Sequence, residues 1–455
     1  MMTSGRGVFC SIGLACLFAA APSLAEPIEI ASLEALAAYA AKDGNAVRMA
    51  PGVYAMTDYI PLEDIPERRE NEAWRYIDFS GSGNIFDLTG VIIEFDTELR
   101  EALDAPVHTP GEFTISGDDN TLKGLTIVSL GDGNSRQECV LSILGDRNTL
   151  RDCEFYVRGS YPYGYGDLFG KGGGPIIAHR KHSGVQIRGD GARLIGCRVY
   201  MRSYGHGFYV QGAANTYFED CYVEGEMRST NDMLAETSGP AFDVDFRSVY
   251  RNRDGEERVA PGYMKSLAED GFRTYGDAVG VTFVNCVAKN MRGGFELRTS
   301  GPIRIENSAA IGNERGFWVG SDAIVTGSRG DARYGPVLFL EGEGSSVELA
   351  LKPEDSAKKV HALATIHGAG HEVSITPWEG QERGREVPIK LGFSQPGAGE
   401  GMSPIGEREA SDIALSNETS MPVIIGREAR ESAVVTRGAV LEDAGEAVSV
   451  TFLDQ

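Results

Sequence analysis

The chain has 455 residues, 58 of them Gly and 19 Pro, with 42% hydrophobic and 24% charged residues; that apolar share excludes a disordered chain, and glycine without a G-X-Y period excludes collagen. Acidic residues outnumber basic ones 66 to 43, for a net charge of −23, and no basic run is longer than a pair such as Arg180-Lys181, so nucleic acid is not an expected partner. No internal stretch approaches the ~18 uninterrupted apolar residues of a membrane-crossing helix, and none is expected in the mature chain.

Residues 1–25 read as an address. Arg6 is the only charge before an apolar run from Val8 to Ala21, and Ser23-Leu24-Ala25 offers a small-x-small cleavage site before Glu26. Export to a periplasm or beyond is expected, and removing this segment takes away one Arg and no acid, leaving −24. An Ala-rich amphipathic segment, Ser32 to Lys42, then predicts a short helix, and Ala46 to Tyr54 a first strand. Gly117-Asp-Asp-Asn-Thr121, Gly145-Asp-Arg-Asn-Thr149 and Gly212-Ala-Ala-Asn-Thr216 are turns, with Gly and Asn expected to supply positive φ at a corner. Stacked Asn side chains there would also bond the neighbouring turn's backbone.

Export makes the cysteines informative. Five lie beyond the leader, and an odd number cannot all pair internally. Four share a frame: Leu150-Arg-Asp-Cys153, Leu194-Ile-Gly-Cys197, Phe218-Glu-Asp-Cys221 and Phe283-Val-Asn-Cys286. Leu122-Lys-Gly-Leu125 and Ile305-Glu-Asn-Ser308 fit it with Leu or Ser in place of Cys. A slot that accepts Cys, Leu or Ser is a small interior position, so buried free thiols are expected.

A second motif sets the period. Ser183-Gly-Val-Gln-Ile-Arg-Gly189, His206-Gly-Phe-Tyr-Val-Gln-Gly212, Asp270-Gly-Phe-Arg-Thr-Tyr-Gly276, Gly293-Gly-Phe-Glu-Leu-Arg-Thr299 and Arg315-Gly-Phe-Trp-Val-Gly-Ser321 superpose without gaps. Their first aligned glycines are 23, 64, 23 and 22 residues apart. A unit of this length, alternating apolar and polar residues between Gly, Asn and Asp, predicts short strands joined by tight turns in a solenoid. These residues resemble the right-handed parallel β-helix superfamily, the pectate-lyase-like folds, and the helix-then-strand at 32–54 resembles the cap such proteins carry. The resemblance implies an all-β, right-handed parallel β-helix over residues 26–340, with a short N-terminal capping helix. Residues 341–455 read as further β coils or as a C-terminal β region, since strands such as Val347 to Leu351 recur without the period. Many chemistries share this scaffold, so function must come from the site.

The enlarged gaps locate it. From Cys197 to Gly207 takes 10 residues and from Cys286 to Gly294 takes 8, but Cys153 to Gly184 takes 31 and Cys221 to Gly271 takes 50. Two long loop insertions therefore leave from the same corner and flank the turn holding His206, and long loops on a rigid scaffold usually line binding sites. The strand period of two turns Val185, Phe208, Phe272, Phe295 and Phe317 inward. Outward files then hold Gln186, Tyr209, Arg273, Glu296 and Trp318, and Arg188, Gln211, Tyr275 and Arg298, with His206, Asp270 and Arg315 just before each Gly. Stacked about 4.8 Å apart, these predict one polar surface under a cleft. Arg180, Lys181 and His182 lead into it. Ser160-Tyr-Pro-Tyr-Gly-Tyr-Gly-Asp167 offers aromatic platforms for sugar rings, and Asp232 and Glu236 are acids of the larger loop.

A uronate-polysaccharide lyase needs a base for the proton α to the carboxyl group, a cation on that carboxylate and an acid for the leaving oxygen. His206 or Lys181, Arg273 or Arg298, and Tyr209 or Tyr275 fill those roles. One alternative is a glycoside hydrolase. Gly205-His-Gly207 resembles the Gly-His-Gly of polygalacturonase-type enzymes, but the upstream carboxylates of that family are missing, so Asp270, Glu296 or loop acids would have to serve. The other is a non-catalytic glycan-binding surface protein, for which Tyr209 and Trp318 suffice. The expected partner is a polysaccharide or oligosaccharide, bound by a monomer. No cofactor is required by the sequence; calcium on the loop carboxylates is allowed but has no loop signature, and zinc has no ligand motif.

Overall fold

The computed structural model describes residues 26–170, 176–251, 255–299, 301–333, 335–352, 362–378, 386–394 and 406–453; the leader read at 1–25 lies outside them. Each winding is built from short strands separated by residues that can leave the right-handed half of backbone space. Between the second and third strands one residue turns left-handed: Gly124, Asp152, Gly196, Asp220, Asn285, Asn307 and Gly327 have φ between 50 and 73°. Gly, Asp and Asn tolerate that conformation best. It explains the cysteine frame, because the next residue (Leu125, Cys153, Cys197, Cys221, Cys286, Ser308 or Ser328) then points inward and is buried.

Stacking these windings gives a 13-stranded parallel sheet and a 23-stranded sheet. In the latter two parallel runs merge through the long strand Ala323–Ala332, which pairs with both Ile303–Glu306 and Ala309–Asn313. This is a right-handed parallel β-helix. The aligned phenylalanines form an interior ladder, Phe208 on Phe272 at 5.4 Å, Phe272 on Phe295 at 4.9 Å and Phe295 on Phe317 at 5.0 Å, with rings within 16° of parallel. Each such buried side chain stabilises the rod by roughly 1.5–3 kcal/mol. At one corner Asn120 Nδ2 donates to Gly81 O and Asn148 Nδ2 to Gly117 O, while Asn148 Oδ1 accepts from the Asn120 amide. The asparagines thus stitch windings together as expected. In the third turn Gly212 and Asn215 take positive φ, 76 and 56°, as expected, whereas in the first two it falls one residue before the Asn, at Asp119 and Arg147, and Gly117 and Gly145 are needed for close approach, since a Cβ there would lie 2.0 and 2.1 Å from the carbonyl oxygen of the preceding winding.

The N-terminal end is closed by the helix Leu33–Ala40, whose cap Ser32 Oγ accepts from the Ala35 amide at 3.2 Å. Beyond residue 340, strands such as Ser346–Leu351, Glu372–Pro377 and Ala433–Thr436 extend the long sheet, and Ala364–Ile366, Ile389–Leu391 and Val423–Ile425 extend the 13-stranded one. Among the described residues, no helix is long and apolar enough to cross a membrane.

Cys139, Cys153, Cys197, Cys221 and Cys286 are free and buried. Burial is the chief cause pushing the Cys197 and Cys221 thiols well above the ordinary range, with stacked thiols as neighbours. Both are expected to resist a maleimide in the native protein and to label only on unfolding; rapid native labelling followed by mass spectrometry would contradict the inward placement.

Candidate active site

Five strands of the 13-stranded sheet, Ser183–Ile187, Phe208–Gln211, Asp270–Tyr275, Gly293–Leu297 and Arg315–Val319, carry the expected outward file in register. Gln186 pairs with Tyr209, Tyr209 with Arg273, Arg273 with Glu296, and Glu296 with Trp318, while Gln211 sits beside Tyr275. The face is not open. The two insertions fold over it around an apolar core of their own, with Tyr165, Leu168 and Phe169 from the first and Met233, Ala241, Val259 and Leu267 from the second. His206 is left 5% exposed, Arg273 9% and Glu296 1%.

Beneath this cover lies a dense ionic cluster. Lys181 Nζ reaches both oxygens of Glu269 at 2.8 Å. Arg292 binds Asp270 through two nitrogens at 3.1 and 2.8 Å and Glu269 at 3.3 Å. Lys265, wholly buried, bridges Asp167 at 2.7 Å and Glu314 at 3.0 Å. Arg273 Nη1 donates to Glu296 at 2.6 Å, and Arg298 and Arg315 donate to the same carboxylate. Six cations thus face five carboxylates, a local positive excess on a chain of −23. Arg273 Nε and Arg315 Nε and Nη1 are buried without a hydrogen-bond partner, donors still able to take an anionic group.

His206 sits at the centre. The Asp270 amide donates to its Nδ1 at 3.3 Å, so the ring proton lies on Nε2, which faces Tyr275 Oη at 2.8 Å and Glu269 at 3.3 Å. Burial lowers its pKa to about 4, outweighing the opposite pull of Glu269 and Asp270; those carboxylates are already neutralised by Lys181 and Arg292, so the imidazole is neutral at pH 7. Burial would raise Glu269, but Lys181, His206 and Arg292 prevail and hold it well below the usual carboxylate range. Asp270 is likewise held down, with Arg292 the largest opponent of its burial. Burial, then Glu269, pushes Tyr275 up to about 12, so it keeps its proton. Burial and then Arg273 bring Arg298 down to about 10. On the solvent side, Lys181 is 33% and Arg298 32% exposed by side chain, Tyr275 is half-buried and Gln211 exposed.

The structure therefore brings His206, Lys181, Asp270, Arg273, Tyr275, Glu296, Arg298 and Arg315 together, and corrects several expected roles. Tyr209 is buried, its hydroxyl beside Cys139 and its ring 5.6 Å from that of His206. Trp318 offers no sugar platform: Arg298 covers its ring at 3.6 Å, Phe339 packs against it at 4.2 Å, and its Nε1 donates to Glu341. Arg315 is buried, with one guanidinium nitrogen on Glu296. His182 is fully buried, 3.3 Å from Glu112, which also holds Arg100 at 2.8 Å; it belongs to the scaffold. Arg180 is a half-buried neighbour of Asp104 at 4.0 Å and of Tyr161 through backbone bonds. Glu236 pairs with Arg228 and accepts from Tyr165 Oη at 2.7 Å, holding the insertions together, and Asp232 is exposed at the start of a short helix. Of the expected tyrosine platforms, Tyr161 is exposed, while the Tyr163 and Tyr165 hydroxyls bond Glu226 and Glu236. Asp270 and Glu296, the carboxylates of the hydrolase alternative, are both buried on arginines. Among the described residues, no group of three His, Cys, Asp or Glu side chains is arranged to hold a metal ion.

Asp167, Lys265, Glu269, Arg292 and Glu314 were not anticipated. Three of them carried a signal: the position two before each aligned glycine reads His182, Gly205, Glu269, Arg292 and Glu314, a charged file parallel to the one already named. Asp167 and Lys265 sit in the insertions, where no period marks them.

Residues 107–329 match the family model described as right handed beta helix region. No curated protein sequence matches the chain. Similar solved structures include a mannuronic acid specific polysaccharide family 6 lyase enzyme from human gut microbiota, 10% identical, covering 93% of this chain and 83% of that one, with a TM-score of 0.46. Others are PfbA, a surface adhesin of Streptococcus pneumoniae (10% identity, 88% and 90% covered, TM-score 0.35), and the endo-xylogalacturonan hydrolase from Aspergillus tubingensis (11% identity, 92% and 88% covered, TM-score 0.32).

Proposed function

We propose that this β-helix is an exported carbohydrate-active enzyme, a polysaccharide lyase that cleaves a uronate-containing chain by β-elimination. The observation that carries the reading is the cationic excess around Glu296, with its unpartnered guanidinium donors, set beside the neutral His206–Tyr275 pair. Arg298, with Arg273 behind it, neutralises the substrate carboxylate so that charge can build on the α carbon. Lys181, at the open side, takes the α proton once it has given its own ammonium proton to solvent; the electron pair forms the new double bond as the β carbon–oxygen bond breaks. Tyr275, held by its hydrogen bond with His206 Nε2 at 2.8 Å, gives its proton to the departing oxygen and is reprotonated from solvent. A hydrolase is less well supported, because Asp270 and Glu296 are both paired with arginines and Asp270 is held well below the usual carboxylate range rather than raised like a general acid.

The test is a panel of acidic and neutral polysaccharides assayed for the ultraviolet absorbance of an unsaturated product and for new reducing ends. Both signals on a uronate polymer are expected. Reducing ends without absorbance would mean hydrolysis, and retention without turnover a binder.

A pH profile follows from His206. Its pKa in the folded protein is lowered to about 4, so the imidazolium forms only near that value and contributes no acid limb to the activity profile above it. The same shift costs stability earlier: from 6.5 downward the unfolded chain takes a proton that the folded site refuses. A His206→Asn variant should lose that part of the acid destabilisation, read as thermal midpoint against pH.

A further inference from the structure

On another side of the solenoid, across the windings of the long sheet, a groove of about 480 Å³ is lined by Arg329, Glu348, Ala350, Thr376 and Trp378, among others. It arises because three consecutive strands, Ala323–Ala332, Ser346–Leu351 and Glu372–Pro377, stack in register. Arg329 lies beside Ala350 and Ala350 beside Thr376, so small side chains form the floor. The chain then leaves the sheet at Trp378, whose amide still donates to Leu351 O at 3.3 Å and which is only half-buried. Lys352 Nζ stands 5.1 Å and Arg329 Cζ 5.6 Å from the centre of its ring. Arg329 and Glu348 are exposed.

An aromatic ring at a groove wall, flanked by two cations, with an acid on a shallow floor, is the combination that a charged sugar satisfies. The apolar face of a pyranose packs on the indole, a carboxylate meets Arg329 or Lys352, and a hydroxyl donates to Glu348. The volume lies within the range of small-molecule sites. We propose that this groove is a second, non-catalytic binding site for an acidic oligosaccharide segment, which holds the polymer while another part of it occupies the His206 site. The ligand class rests on the uronate reading above; the location does not, since the two sites lie on different sheets.

The chain has three tryptophans. Trp318 is buried under Arg298 and Trp74 packs against the core, which leaves Trp378 as the reporter. Oligogalacturonate and oligomannuronate are titrated against the His206→Ala protein, where no turnover interferes, with intrinsic fluorescence and calorimetry as readouts. The expected result is a saturable fluorescence change that disappears in Trp378→Ala, with binding weakened about tenfold, which is 1.4 kcal/mol, and weakened severalfold in Arg329→Ala. With the His206 site intact, Trp378→Ala should raise KM on polymer and leave turnover of a short oligosaccharide unchanged. Equal affinity in Trp378→Ala, or equal binding of a neutral glucan, would overturn the proposal. If the polysaccharide panel shows no turnover at all, the calorimetric titration still decides this site by itself.

Discussion

Tyr275→Phe is expected to lower kcat on the true polysaccharide by about 10²–10⁴-fold with little change in KM. The substitution removes one oxygen and leaves the ring, which Arg273 covers at 4.4 Å and which meets the His206 ring edge-on at 5.5 Å. The packing that positions Arg273 therefore survives, and so does the cationic contact with the substrate carboxylate. What disappears is the proton for the leaving oxygen and the hydrogen bond between that hydroxyl and His206 Nε2. Loss of one hydrogen bond costs the fold about 1 kcal/mol, too little to explain a hundredfold drop, so a circular-dichroism melt beside the kinetics separates the two. His206→Ala and Arg273→Ala should also abolish activity in folded protein. Full activity in both, with Tyr275→Phe equally active, would remove this site from consideration.

Lys265→Met should instead act on the fold, lowering stability by about 3–5 kcal/mol in the part of the molecule that covers the site. Lys265 comes from the second insertion, Asp167 from the first and Glu314 from the β-helix, so one buried ammonium ties three segments. Without it Asp167 keeps Arg292 at 3.8 Å and Glu314 keeps the Ser266 amide at 2.7 Å, but two carboxylates are left in a dry interior. Even in the intact protein burial, ahead of any other cause, raises Glu314 to about 7. The folded state thus binds a proton that the unfolded chain releases near 4.5, so this group's stabilising contribution is full below that value and fades as pH rises through 7. In Lys265→Met the window should widen upward, and the deficit should be larger at pH 8 than at pH 5. Limited proteolysis within 158–182 and 225–269, with denaturant melts at both pH values, measures it. A variant within about 0.5 kcal/mol of the parent at both would mean that the cluster does not clamp the insertions.

The β-helix was legible because its signal is repetitive. A glycine before an inward Phe recurs at fixed spacing, and a frame ending in Cys, Leu or Ser recurs beside it, so the side-chain period of two assigns faces without coordinates. The same arithmetic put Tyr209, Arg273, Glu296 and Trp318 in one file, and they are. Exposure was not legible. Alternation says which side a residue faces but not what covers that side, and the insertions that bury His206 carry no period to reveal their fold. For that reason Trp318 and Tyr209 read as free aromatic surface, although Arg298 and Cys139 occupy their neighbourhoods. His182 misled for a related reason. Its proximity to Lys181 in the chain suggested a shared cleft, whereas consecutive residues at a corner point to different neighbours, and Glu112 claims it.

Because each strand that carries the site pairs only with those of the windings directly above and below, the constellation around His206 is assembled from modules that can be counted. Excising a single plain repeat, such as the 22 residues 294–315, would close the rod again with its ends and its hydrophobic ladder intact, yet take Glu296, Arg298 and Arg315 out of the site and bring Trp318 one storey toward His206. Duplication or loss of such a module would re-key the selectivity of the molecule in one genetic event while leaving its architecture untouched.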